Sequence, residues 1–83
     1  MTSNESAWTE SAGALNATMT FADFAEAFAF MTRVGLIAQE QGHHPDMSIS
    51  WNRVTITITT HDAGNTLTDK DRKLSAAIDA MAP

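Results

Sequence analysis

The stretch Met47-Ser48-Ile49-Ser50-Trp51-Asn52-Arg53-Val54-Thr55-Ile56-Thr57-Ile58 decides the fold. Met47, Ile49 and Trp51 alternate with polar residues, as do Val54, Ile56 and Ile58, and a period of two is that of half-buried strands. Asn52-Arg53 separates the runs. A two-residue turn there predicts an antiparallel hairpin with Trp51 opposite Val54, Ile49 opposite Ile56 and Met47 opposite Ile58. Ser48, Ser50, Thr55, Thr57 and Thr59 then share the other, polar face. Extended outward, the same pairing sets His44 opposite His61, where directly opposed Cβ atoms lie about 4.5–5.5 Å apart. The chain's three histidines, His43, His44 and His61, are therefore expected to meet at the open end of one hairpin.

Upstream, the pattern changes from period two to period 3.6. A long helix is expected from about Phe21 to Gln41, with Thr20 and Asp23 spaced as a capping box and Gly42 as its C-terminal stop. Its apolar residues fall on two seams. Phe21, Phe24, Phe28, Met31, Gly35 and Ala38 form one; Ala27, Phe30, Val34 and Ile37 form the other, turned by about 100°. One seam covers a sheet, and the second calls for another subunit, with Phe30 and Val34 expected at that contact. Before the helix, Leu15, Ala17, Met19 and Phe21 share one parity and predict a strand from Ala14. Ser11-Ala12-Gly13 turns into it from a first short strand near Trp8. After the hairpin, a Gly64-Asn65 turn leads to a last helix, capped by Thr68 and Asp71, with Leu74, Ala77, Ile78 and Met81 as its apolar stripe. This order predicts an α+β domain, an antiparallel sheet covered by helices on one face.

Eighty-three residues make one domain, 1–83, with 1–7 a polar tail expected to fray. Without cysteine, disulfides and thiolate chemistry are excluded, and a core this small often gains stability by association. Five basic against ten acidic residues, a net charge of −5, argue against a nucleic-acid partner. No apolar run approaches the roughly 20 residues of a membrane span and no basic, hydrophobic leader opens the chain, so a soluble, cytoplasmic protein is expected.

Histidine titrates near neutral pH, so neighbouring imidazoles can give and take protons within one turnover. Gly42 and Pro45 stiffen the loop that carries His43 and His44. Asp46 or Asp71 can orient a ring by accepting its N–H, and Trp51 offers a flat surface for a planar heterocycle. Zinc is a poorer reading, because adjacent residues on an extended segment point apart and no H-E-x-x-H or C-x-x-C pattern is present. The bland reading, histidines that merely end a helix and a strand, suits one ring better than three. Asp69, Lys70, Arg72 and Lys73 read as a solvated first helical turn.

The spacing His43-His44-Pro45, five residues, Trp51, nine residues, His61, nine residues, Asp71 resembles the pterin-4a-carbinolamine dehydratase family. Phe21-Ala22-Asp23-Phe24, Phe30-Met31-Thr32-Arg33-Val34 and Thr60-His61-Asp62 before Leu67-Thr68 support the match, which runs over roughly residues 8 to 81. The resemblance implies a four-stranded antiparallel sheet with helices on one side. It implies dehydration of 4a-hydroxytetrahydropterin to quinonoid dihydropterin, without a metal or organic cofactor. His43, His44 and His61 would carry the acid–base work with Asp71 beside them. Gly42 and the segment Thr59, Thr60, His61, Asp62 would hydrogen-bond the pterin, and Pro45, Asp46 and Trp51 complete the expected binding set. The resemblance also implies a homodimer or homotetramer, with the long helix often in the tetramer contact. Some family members act on proteins instead, as a dimerisation cofactor or an assembly factor, so a possible protein partner is the alternative. Two departures stand out: the family often has an acid four positions before the first histidine, where this chain has Gln39, and its usual helix before Trp8 has only seven residues here.

Overall fold

The computed structural model describes residues 8–61, 64 and 66–81; the expected frayed tail and Asp62 lie outside the described residues. The elements run β1 (Thr9–Ser11), β2 (Ala14–Thr20), α1 (Phe24–Gln41), β3 (Asp46–Ser50), β4 (Arg53–Ile58) and α2 (Asp69–Met81). The four strands form one antiparallel sheet in the order β1-β2-β4-β3. The α+β expectation is borne out.

Parity explains the layering. Leu15, Ala17 and Met19 on β2 and Val54, Ile56 and Ile58 on β4 turn to the same side and are buried, with Met47 and Ile49 of β3 packed against them. Both helices cover that side: Ala27, Phe30, Val34 and Ala38 of α1 and Leu74 and Ile78 of α2 complete the core. Trp8 Nε1 donates to Asp79 at 2.8 Å, and Arg72 pairs with Glu10 at 3.3 Å, which ties α2 to the β1 end of the sheet. The Arg72–Glu10 pair is exposed on both sides, so it orients more than it stabilises.

Three expectations are corrected. First, α1 begins at Phe24, not Phe21. Asp23 is the N-cap, its side chain accepts from Glu26 N–H at 2.9 Å, and Glu26 in turn accepts from Ala22 N–H. Thr20 is the last residue of β2. Second, the hairpin loop is Trp51-Asn52, so Ile49 lies opposite Val54 and Met47 opposite Ile56. Asn52 sets this loop: its side-chain amide donates to Phe21 O, and its own carbonyl accepts Phe21 N–H, each at 2.8 Å. Trp51 takes a φ of 54°, rare for a non-glycine residue. Third, the α1 seam assigned to a subunit contact is the core face. Phe30 and Val34 are fully buried, whereas Phe24, Phe28 and Leu36 point outward. A stripe centred on Ala27, Phe30, Val34 and Ala38 borrows from both seams. Phe24 and Phe28 stack on each other outside it, with ring centroids 5.9 Å apart.

Candidate active site

The site is built by two helix ends. At the C-terminus of α1, Gly42 adopts the left-handed conformation with a φ of 67°. Its N–H bonds Gln39 O at 3.1 Å and the next N–H, that of His43, bonds Ala38 O at 3.0 Å. This double bond is the Schellman closure of a helix, and it fixes the direction in which His43 and His44 leave α1. At the N-terminus of α2, Thr68 and Asp71 cap reciprocally: Thr68 Oγ1 accepts from Lys70 N–H, and Asp71 Oδ2 accepts from Thr68 N–H at 2.8 Å.

The two ends join through one short contact. His43 Nε2 lies 2.6 Å from Asp71 Oδ1; the carboxylate is wholly buried and the ring side chain 11% exposed. Thr60, just past β4, donates its hydroxyl to Asp71 Oδ2 at 2.7 Å. Burial would raise the Asp71 pKa. The hydrogen bonds from Thr60, His43 and Thr68 N–H, with the charge of a protonated His43, outweigh that penalty and hold the carboxyl below its ordinary 3.8. An ionised Asp71 accepts the Nε2 proton of His43, which leaves Nδ1 as the lone-pair nitrogen of a neutral ring. His44 has a different partner. Its Nε2 donates to Gln39 Oε1 at 2.8 Å, near the surface.

Between these groups lies a cleft of about 230 Å³, lined by Gly42, His43 and His44 from one side and by Thr59, Thr60 and His61 from the other, with Lys70 at its rim. This is below the ~300–1,000 Å³ of a pocket for a drug-sized ligand, so the cleft suits a small ligand. The chain bends into it after Thr60, where Thr60 bridges to Thr66 and Gly64 N–H bonds His61 O.

Several expected site residues lie elsewhere. Trp51 is 65% exposed in the hairpin loop, about 15 Å of strand away from the end that carries His44. It is not a wall of the cleft. Pro45 and Asp46 do not line the cleft either; Asp46 opens β3 opposite Thr57 with an exposed side chain. His44 does not face His61 by strand pairing, because the observed register runs two residues short of that match. Thr59 directs its hydroxyl to Gly13 O at 2.7 Å, and the Thr60 hydroxyl is committed to Asp71. Two residues of the site escaped the sequence reading. Lys70 hid in a run of charges. Gln39 stood only as a departure from the family pattern, yet it reaches His44 from the last turn of α1.

The family model of pterin 4 alpha carbinolamine dehydratase matches residues 1–81. A Rhodospirillum rubrum protein named "Putative pterin-4-alpha-carbinolamine dehydratase" is 56% identical over 68 residues, 82% of this chain and 70% of the relative. A Synechococcus protein of the same name is 51% identical over 74 residues, 89% and 78% of the two chains. Among solved structures, a transcriptional coactivator/pterin dehydratase from Brucella melitensis superposes with a TM-score of 0.86 at 32% identity, over 94% of this chain and 84% of that one. A pterin dehydratase-like protein described as a RuBisCO assembly factor in the alpha-carboxysome shares the fold, with a TM-score of 0.71 at 22% identity over 88% and 83%. With a matching family model over nearly its whole length and relatives at half identity, this chain belongs to the pterin-4a-carbinolamine dehydratase family.

Proposed function

We propose that this chain is a hydro-lyase that dehydrates 4a-hydroxytetrahydropterin to quinonoid dihydropterin as one domain, in the recycling of tetrahydrobiopterin in the cytoplasm. One base removes the N5 proton, and that electron pair becomes the C4a=N5 bond. The C4a–O bond breaks, and one acid protonates the departing hydroxide to water. The reaction is proton-neutral overall, so it needs two titratable groups of opposite duty on one ligand and no redox partner. The observation that carries the reading is His43, held on a buried carboxylate, facing one small cleft together with His44 and His61.

His43 suits the base: its Nδ1 lone pair accepts the proton, and Asp71 compensates the imidazolium that forms. His44 and His61 supply the acid. The test is turnover of the carbinolamine, followed by rapid-mixing absorbance. His61→Ala should lower it by about 10²–10⁴-fold, the scale of one acid–base group. A loss below threefold in a folded variant sinks the proposal.

The outward stripe of Phe24, Phe28 and Leu36 supports assembly through α1 as a homodimer or homotetramer. In an antiparallel pair of α1 helices, Phe24 of one copy meets Leu36 of the other, and Phe28 meets Thr32. The same stripe supports a second reading, a binding surface for another protein, in keeping with the coactivator and assembly roles named for the two superposable structures. A pterin titration separates the two: no binding by purified protein, with a larger partner retained through purification, favours the second.

A further inference from the structure

We infer that Thr68 and Thr60 form a one-way hydroxyl relay onto Asp71 that fixes which ring nitrogen of His43 carries its proton, making both threonines positioning residues. The kinetic consequence rests on the acid–base reading above; the proton assignment does not.

The direction of the relay follows from counting protons. Thr60 Oγ1 stands 2.7 Å from Asp71 Oδ2 and 2.8 Å from Thr68 Oγ1, and it has one hydrogen for two neighbours. An ionised carboxylate has none to offer, so Thr60 gives its hydrogen to Asp71. The Thr68 hydroxyl gives its own to Thr60 at 2.8 Å, closer than its other acceptor, Asp71 Oδ2 at 3.4 Å, and Thr68 Oγ1 is left to accept Lys70 N–H at 3.3 Å. Adding Thr68 N–H at 2.8 Å, the Oδ2 oxygen collects two strong donors. Among the described residues, Oδ1 faces His43 Nε2 at 2.6 Å. With Oδ2 saturated from the protein side, the carboxylate stays an acceptor towards His43 and holds the proton on Nε2. The chain is closed to competition, because Asp71 is fully buried and Thr60 nearly so. Among the described residues, the groups of possible charge near it are His43 from the loop after α1, His61 beside Thr60 and Lys70 beside Asp71.

Thr60 lines the cleft, and its hydroxyl serves the site through Asp71 on His43.

The test compares Thr60→Val with Thr60→Ser. In wild-type protein with neutral histidines, the ¹⁵N spectrum of the His43 ring should report one tautomer, protonated on Nε2. Thr60→Val keeps the shape and removes a donor that holds the buried carboxylate ionised and in place, so Asp71 can take a proton or turn from Nε2 and the ring should populate both tautomers. Its kcat should fall by about tenfold or more, the worth of one hydrogen bond to a charged group, with KM within about twofold. Thr60→Ser should restore the single tautomer and return kcat to within about threefold. A Thr60→Val protein with the wild-type ring spectrum overturns the relay, as does one whose KM rises while kcat holds, the mark of a direct ligand contact. If Thr60→Val does not fold, the wild-type spectrum decides alone: a His43 ring protonated on Nδ1 overturns the assignment. Should the wild-type protein lack dehydratase turnover, the acid–base reading fails while the ring spectrum still rules on the relay.

Discussion

Asp71→Asn tests the centre of the site, because an amide cannot satisfy every donor that the carboxylate now serves. Two strong donors, Thr60 OH and Thr68 N–H, converge on Oδ2, and His43 Nε2 reaches Oδ1. An asparagine has one oxygen. If that oxygen faces His43, the new NH₂ meets the Thr68 N–H at a spacing of 2.8 Å. The Thr60 hydroxyl can turn to accept, but an amide N–H cannot, and one buried donor left unmatched costs about 1–3 kcal/mol. If the oxygen faces Thr68 instead, the NH₂ points at His43, and the ring must carry its proton on Nδ1. The fold is then spared, and the lone pair leaves the cleft; turnover should fall by about 10²–10⁴-fold, as for loss of one acid–base group. The acid dependence separates these effects from simple loss of packing. The folded pKa of Asp71 lies below its unfolded 3.8. Its ionisation therefore adds stability that is fully present above pH 3.8 and disappears as pH falls through the lower, folded value. Asparagine has no such limb. Urea midpoints should differ between wild type and Asp71→Asn at pH 7 and draw together at pH 3 and below. A gap that stays constant over this range, or turnover within threefold of wild type, refutes the reasoning.

Gly42→Ala adds a methyl that meets nothing within 4 Å, so its cost is the left-handed backbone alone. That cost is about 1–2 kcal/mol, a fall in Tm of about 4–8 °C per kcal/mol in a domain of this size. A calorimetric Tm within about 1 °C of wild type would deny that this turn is held left-handed. On α1, Phe30→Ala removes a fully buried ring and should cost about 3–5 kcal/mol, read by urea unfolding. Phe28→Glu, where the ring is 54% exposed, should leave the fold intact and lower the mass measured by light scattering. An unchanged mass counts against the α1 contact.

Features set by neighbours within four residues were legible in the sequence. Gly42 ends α1 because a left-handed residue closes a helix, and Thr68 with Asp71 starts α2 because each serves the other's backbone. The apolar stripe of α2 is buried at Leu74 and Ile78 as its period predicts. Features that depend on a distant partner were not. Thr20-x-x-Asp23 and Asp23-x-x-Glu26 have the same spacing, and only the pairing of Thr20 with Arg53 in the sheet removes the first from the helix. The two seams of α1 could not be ranked without knowing where β3 and β4 lie. Lys70 reads as one charge among five until the cap at Thr68 turns it to the rim.

The shifted hairpin loop still leaves the three histidines lining one cleft. Moving the loop from Asn52-Arg53 to Trp51-Asn52 slips the pairing by two residues, and an even slip keeps every side chain on its own face. Met47, Ile49, Val54, Ile56 and Ile58 therefore remain on the core side, and the two chain ends remain at the same edge of the sheet. A slip of one would have turned the apolar face to solvent. What the slip removes is the pairing of His44 with His61; continued outward, the observed register aims His44 at Thr59 instead. The histidines come to one cleft by other means. His43 and His44 are directed by the left-handed stop at Gly42, and His61 by the bend closed by Thr60, Gly64 and Thr66. The site is thus built on helix ends and a turn rather than on rungs of the sheet. Asn52, which holds the hairpin loop against Phe21, sets the register but not the chemistry. Substitution there should disturb stability ahead of turnover, whereas any change that opens either helix cap moves a ring directly.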